Sequence, residues 1–325
     1  LTLTDDLDVL ARAAILRPDT GRELIVATGA DRSRFLNGIV TGNVAGTPVG
    51  GGCLSALLTP KGHVVADMRL FVRTDDFWIV VDAGQAETLA GALSRYAIMD
   101  DFAAAARPDF AFSSLLGPAA AARLAAIGAD PGALATAPLL AHVQVATPAG
   151  DLWIARVREL GAEGFWLGAP QATLADVHAR LAAAGTPELE PAAAEAARIA
   201  ALEPRFGAEI TADYFPMEVG LSPAIDYGKG CYLGQEPIVR IRDRGHINWR
   251  LVSLDLAGPT DAAAADPIES DAKPKAGRVT SAGRLPDGRG VALAMLHTSV
   301  PVGATVRIHH GDARIDALVR AETSA

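Results

Sequence analysis

Cysteine is nearly absent: the chain of 325 residues holds two, Cys53 and Cys231. Two thiols so far apart fit a reducing compartment with both free. They exclude a disulfide-stapled scaffold, and they exclude an iron–sulfur or structural zinc site built from this chain's cysteines alone. Histidine does not fill the gap. The seven histidines are scattered, and His309 and His310, read as strand neighbours, point to opposite faces. No resident metal is expected.

Basic charge is also scarce. Lys and Arg number 29 against 38 acidic residues, a formal net charge of −9. The broad basic face that phosphate neutralisation demands is missing, so no nucleic-acid partner is expected. No apolar run approaches the roughly 20 residues of a membrane span, so no membrane partner is expected either. The segment Leu1-Thr-Leu-Thr-Asp-Asp6 has neither a basic flank nor an apolar stretch, and no signal peptide is read there. A cytoplasmic protein is expected, although a start without Met is compatible with a targeting segment removed earlier. What remains is ordinary globular composition, 50% hydrophobic and 21% charged, in a chain long enough for two or three modules.

Up to about residue 245 the pattern mixes hairpins with helices. Residues 22–28 read as a strand, and Asp31 as the N-cap of a short helix ending near Gly38. Residues 53–59, 63–73 and 77–82 read as antiparallel strands with turns at Pro60-Lys-Gly62 and Thr74-Asp-Asp76. Apolar spacing at Leu89, Leu93 and Tyr96 predicts a helix over 84–97. A strand at 109–116 and a helix at 119–127 repeat the motif. Strands near 141–147 and 151–157 follow, then helices near 171–184 and 191–202. Beyond Arg250 helical spacing stops. Five short strands, at 249–256, 276–282, 290–296, 303–309 and 312–319, suggest a small barrel, with 257–275 as a loop. Ala-rich stretches at 103–106, 118–126 and 262–265 read as composition bias. The expectation is an α+β chain: one lobe over 1–110, a second over 111–245, and a β-barrel over 246–325.

The densest chemistry lies in Asp226-Tyr-Gly-Lys-Gly-Cys231-Tyr-Leu-Gly-Gln-Glu236. Glycine-rich backbone takes positive φ and lets polar groups converge; a flexible linker would be Ser-rich and would lack Cys, Tyr and Leu. Cys231 is reactive if a cation lowers its pKa, and Lys229 or the following arginines could supply one. The competing reading is a small hydrophobe filling a tight turn. Gln235 and Glu236 suit hydrogen bonds to a heterocycle, or else they satisfy a turn. Pro237 sets Glu236 extended. Arg240, Arg242 and Arg244 then share one face of a strand and, with Arg250, either bind carboxylates or stay solvated. Only Asp243 offsets them between residues 237 and 250.

Lys229-Gly-Cys-Tyr-Leu-Gly-Gln-Glu236 resembles the signature of the YgfZ family of folate-binding proteins, which share a superfamily with the T-protein (aminomethyltransferase) of the glycine cleavage system. Phe35-Leu-Asn-Gly-Ile-Val-Thr-Gly-Asn-Val44 and Leu57-Leu-Thr-Pro-Lys-Gly-His-Val-Val-Ala-Asp67 resemble earlier family segments. Pro216-Met-Glu-Val-Gly220 and Arg240-Ile-Arg-Asp-Arg-Gly-His246 resemble those flanking the signature. The resemblance implies antiparallel sheets plus helices in two lobes and a C-terminal β-barrel, arranged around a central hole. It implies tetrahydrofolate or a related folate as ligand, and client iron–sulfur proteins as partners in cluster assembly or repair. Cys231 becomes the working thiol of a loop formed by Lys229, Gly230, Tyr232, Gly234, Gln235 and Glu236. Glu163, Arg240, Arg242, Arg244 and Arg250 become candidates for the folate.

Two departures separate the chain from the transferring T-proteins. Leu89 stands where the resemblance puts their catalytic aspartate, with Glu87 two positions earlier. In Leu160-Gly-Ala-Glu-Gly-Phe-Trp166, Glu163 is displaced by one position from the superfamily's pterin-binding glutamate. Aminomethyl transfer is therefore not expected. Two alternatives stay open: a folate-dependent aminomethyl- or methyltransferase or demethylase, and a non-catalytic scaffold whose arginine face binds an acidic partner.

Overall fold

The computed structural model describes residues 3–258, 262–285 and 287–323. The chain opens with α1 (Leu3–Arg12) and β1 (Ile15–Arg17). Then come β2 (Arg22–Thr28), α2 (Arg32–Ile39), β3 (Gly52–Leu58), β4 (Val64–Val72), β5 (Phe77–Asp82), α3 (Ala86–Tyr96) and β6 (Ala103–Ala106). Next are β7 (Phe110–Leu116), α4 (Ala120–Ala126), β8 (His142–Thr147), β9 (Gly150–Glu159), β10 (Ala162–Pro170), α5 (Gln171–Ala183) and α6 (Pro191–Ala200). After α7 (Gln235–Arg244) come β11 (Trp249–Leu256), β12 (Pro267–Ser270), β13 (Lys273–Arg284), β14 (Gly290–His297), β15 (Thr305–His310) and β16 (Ala313–Glu322). Among the described residues, no helix is long and apolar enough to cross a membrane.

Two five-stranded antiparallel sheets form, in the orders β3-β4-β5-β2-β6 and β1-β7-β10-β9-β8. Strand alternation decides what each face covers. Met68, Leu70 and Val72 of β4 and Phe77, Ile79 and Val81 of β5 pack against Leu36 of α2 and Leu89 and Leu93 of α3. The intervening Phe71, Trp78 and Val80 point the other way and meet Phe112, Trp153 and Trp166 of the second sheet. That sheet's outer face, including Leu152, Ile154 and Leu167, is covered by Leu124 of α4 and Val177 and Leu181 of α5. The result is helices, sheet, sheet, helices, with an aromatic seam between the sheets. The C-terminal strands close into a barrel in the order β11-β14-β13-β12-β15-β16. The barrel is tied to the rest through a core that joins Ile199 of α6 and Ile238 of α7 to Leu251, Leu293 and Met295.

Several expectations are corrected. The stretch 257–275 contains β12, which pairs with both β13 and β15, so the barrel has six strands. Residues 103–106 form the edge strand β6, paired with β2. β10 lies at the centre of the second sheet, where the sequence suggested no strand. β1, at residues where no strand is read from the sequence, pairs with β7. Asp31 occupies the N-cap position of α2 without capping it; its Oδ2 accepts the Asp101 N–H at 2.9 Å. His309 and His310 do diverge, to Glu269 and Asp266 respectively.

Candidate functional site

The glycine run crosses from the 222–224 turn to α7, and it is tied down along its length. Buried Thr41 donates its hydroxyl to the Ala224 carbonyl at 2.6 Å and accepts the Ala56 N–H at 2.8 Å. The Asp226 N–H donates to the Thr41 carbonyl at 3.0 Å. Asp226 Oδ1 accepts the N–H groups of Gly228 and Lys229 at 2.7 and 3.0 Å, closing an Asx-type turn. Those backbone donors, Gly228 first, hold its carboxyl below the ordinary range. The Lys229 ammonium donates to the carbonyls of Val40 and Gly42, both at 2.7 Å, and lies 5.4 Å from the centre of the Tyr232 ring. Burial pulls its pKa from 10.5 to about 8, against the opposing pull of Cys53 and Asp226.

At the far end Gly234 is left-handed, with φ of 76°, and a Cβ there would stand 2.3 Å from the Thr59 carbonyl oxygen. Only glycine suits both conditions. Gln235 accepts the Tyr232 N–H through its amide oxygen at 3.2 Å. Tyr232 itself is buried in the barrel-side core, and burial raises its pKa to about 12. Cys231 is exposed between these two anchored neighbours.

The residues expected to act with Cys231 do not all gather around it. Lys229 spends its ammonium on two backbone carbonyls, and the thiol that feels its charge is Cys53. Cys53 is half-buried; burial raises its pKa, with Thr47 and Lys229 pulling the other way. The expected arginine strand is helix α7, and Glu236 lies in its first turn instead of being extended. Pro237 fits there because backbone N–H groups in a first turn have no intrahelical partner to lose. Arg242 pairs with Asp243 at 2.6 Å and stacks 4.7 Å from the Tyr227 ring centre, away from Arg240 and Arg244. Arg250 sits in the barrel wall, bonded to the Val300 carbonyl and to Glu322.

Glu163 is exposed and paired with Arg156 at 2.6 Å. On a strand, a one-residue shift turns a side chain to the other face. Ala162 and Trp166 face the seam with the second sheet's aromatics, while Phe165 and Leu167 on Glu163's parity belong to the opposite face. The proposed folate set of Glu163, Arg240, Arg242, Arg244 and Arg250 thus does not converge. Among the described residues no cluster of His, Cys, Asp and Glu could hold a metal ion.

The seam carries a buried polar network, which no sequence spacing announced. Glu159 accepts from Arg17 at 2.7 Å, Arg22 at 3.2 Å, Trp166 Nε1 at 3.0 Å and the Ser114 hydroxyl. Burial opposes its charge, but Arg22 and Arg17 outweigh that and bring its pKa from 4.5 to about 2. Arg22 also pairs with Asp82 at 2.7 Å and lies 4.4 Å from the Trp166 ring centre. On the same side of β4, Asp67 is buried and its pKa is raised by that burial. One of its oxygens meets Arg69 at 3.2 Å; the other, Oδ1, has no partner. A cleft of about 550 Å³ is lined by Arg22, Glu87, Arg107, Phe110, Phe112 and His178. A second depression, of about 500 Å³, is lined by Cys53, Asp226 and Tyr227 but not by Cys231.

The architecture has known counterparts. A crystal structure of the glycine cleavage system aminomethyltransferase T from Bartonella henselae superposes with a TM-score of 0.87, at 21% identity, over 98% of this chain and 88% of that one. The aminomethyltransferase of Ralstonia nicotianae is 29% identical over 322 residues, which is 90% of this chain and 81% of that protein. That of Herpetosiphon aurantiacus is 28% identical over 287 residues, 86% of this chain and 78% of that protein. The family described as the GCVT N-terminal domain matches residues 20–229. Two sheets backed by helices, a closed six-stranded barrel and this match agree: the chain belongs to the GCVT-domain family and has the T-protein fold.

Proposed function

We propose that the chain is a folate-binding protein of the YgfZ kind, supporting assembly or repair of iron–sulfur clusters in client proteins. One observation carries the reading. Cys231 is held in the open between half-buried Lys229 and buried Tyr232, on a turn whose geometry demands glycine at position 234. A site that spends this much structure on one exposed thiol uses the thiol. Leu89, which the resemblance sets at the transferases' catalytic aspartate, supports the same reading: it is 2% exposed within the α3 core and can hold no proton.

One orphaned polar atom at the seam supports a pteridine there. Asp67 offers an unpartnered buried carboxyl oxygen beside Arg69, and a carboxyl accepts a pterin ring N–H and amino hydrogens in parallel. Asp67 would orient the ring, and the aromatic walls of the seam would keep water from it. The folate's own contribution, when bound, is carriage of a one-carbon unit. Calorimetric titration with tetrahydrofolate tests the ligand. Cluster-enzyme activity in cells carrying Cys231→Ala tests the thiol. Saturable binding and loss of cluster-enzyme activity are expected; no heat at high micromolar ligand, or a silent substitution, overturns the corresponding half.

The placement of Glu87 favours a second reading, a folate-dependent aminomethyl- or methyltransferase. Its carboxylate lines the 550 Å³ cleft with Arg107 and Phe110, within reach of a small ligand. Turnover of tetrahydrofolate with a methylated amine or an aminomethyl carrier, abolished by Glu87→Gln, would establish it.

A further inference from the structure

The signature lysine has a role different from the one its place beside the cysteine suggests. Its ammonium reaches residues 40–42, where two carbonyls take it at 2.7 Å each. The same short segment is clamped from both sides. Thr41, fully buried, bonds to Ala224 and Ala56; the Gly42 N–H donates to the Ser55 hydroxyl at 2.8 Å; and a Cβ on Gly42 would stand 2.4 Å from the Leu54 carbonyl oxygen. The receiving carbonyls are therefore fixed points on the first lobe. Between Asp226 and Gly234 the run meets that lobe through the Lys229 ammonium, ahead of the apolar contacts of Tyr232 and Leu233. Gly230 and Cys231 beyond it are exposed, and nothing lies within 4 Å of a Cβ built at Gly230.

We propose that Lys229 is the positioning residue of the Cys231 site: it pins the glycine run to the Val40 and Gly42 carbonyls and so fixes where the thiol is presented, without activating it. The inference rests on the reading that Cys231 is the working thiol. The groups around the ammonium agree with a pin. Asp226 of the run and Cys53 of β3 are its charged or titratable neighbours, and Tyr232 lends its ring. Two carbonyls and a ring give an ammonium direction as well as stabilisation, because all three N–H donors are used or shielded.

Three measurements on the full chain test this. In Lys229→Met, which keeps the methylene stem, amide exchange over residues 226–233 is expected to rise by about tenfold or more. The midpoint of the pH profile for Cys231 alkylation by iodoacetamide is expected to stay put. Lys229→Arg, whose guanidinium also donates to two carbonyls, should restore much of the protection. Unchanged exchange, or a Cys231 midpoint that moves upward, overturns the proposal; the latter would make the lysine an activator. Should the variants fail to fold, the wild-type protein suffices: with each rate divided by its measured free-amine fraction, Lys229 should acetylate about tenfold more slowly than exposed Lys61, and equal normalised rates overturn the pin. Neither readout depends on client activity. A silent Cys231→Ala would remove the functional reading while leaving the pin itself measurable.

Discussion

Gly234 and Thr59 touch so closely that no side chain fits between them. A Cβ on Gly234 would lie 2.3 Å from the Thr59 carbonyl oxygen, at a residue already in left-handed backbone. The contact docks the Pro60-Lys-Gly62 turn between β3 and β4 onto the start of α7, and Gly62 repeats it from the other side, where an added Cβ would stand 3.1 Å from Pro237 Cβ. Gly234→Ala is therefore expected to lower stability by about 2 kcal/mol or more, combining left-handed strain with a backbone clash. Gly230→Ala, in open space, should change stability by less than about 0.5 kcal/mol. Urea unfolding of the two variants side by side checks the contrast.

Glu159 anchors the seam between the sheets, and its removal leaves Arg17 and Arg22 without their shared carboxylate. Glu159→Ala is expected to cost about 3–5 kcal/mol, the range for breaking a buried ion pair from one side. The pH dependence has a definite sign. Its folded pKa of about 2 lies below the ordinary 4.5, so its stabilisation is complete above pH 4.5 and is lost as pH falls toward 2. In Glu159→Gln the stability–pH curve should flatten in that window.

The fold was legible where one face of an element stayed apolar at its own period. β4 and β5 show this, since their alternating residues divide between the α3 side and the seam. Legibility failed where context overrode local signals. Pro237 argued against a helix, yet Gly234 at the N-cap and buried Ile238 hold α7 in place. β10 is covered on both faces, so its run from Gly164 to Ala169 shows no alternation. The four alanines of β6 carry no pattern at all and become a strand because β2 offers a free edge. At the site, the glycine run and Cys231 stood out by composition. Thr41, Cys53, Asp67 and Glu159 did not, because each gains its meaning from a partner brought in by the fold.

His142 sits edge-on to Phe71, 5.4 Å between ring centres, with its Nδ1 unpartnered. Burial lowers its pKa from 6.5 to about 4, so the unfolded chain takes up a proton that the folded chain refuses. Stability is expected to be unaffected above pH 6.5 and to fall as pH drops from 6.5 to 4, by about 1–3 kcal/mol. His142→Leu should remove that slope, read as melting temperature against pH.

Leu89 offers a direct trial of the proposed departure from the aminomethyltransferases. If the missing carboxyl were the only obstacle to aminomethyl transfer, Leu89→Asp would install activity. The surroundings argue otherwise. Leu89 is packed with Ile25, Leu36 and Leu93 under the first sheet, so an aspartate there meets hydrocarbon and no cation. Such a group either stays protonated or destabilises its neighbours, at a cost of about 3 kcal/mol or more. Leu89→Asp is accordingly expected to lower the melting temperature and to produce no transfer of a one-carbon unit to tetrahydrofolate. A folded variant that turned over an aminomethyl carrier would show that α3 can rotate this position toward the ligand, and that the transferase chemistry is one substitution away.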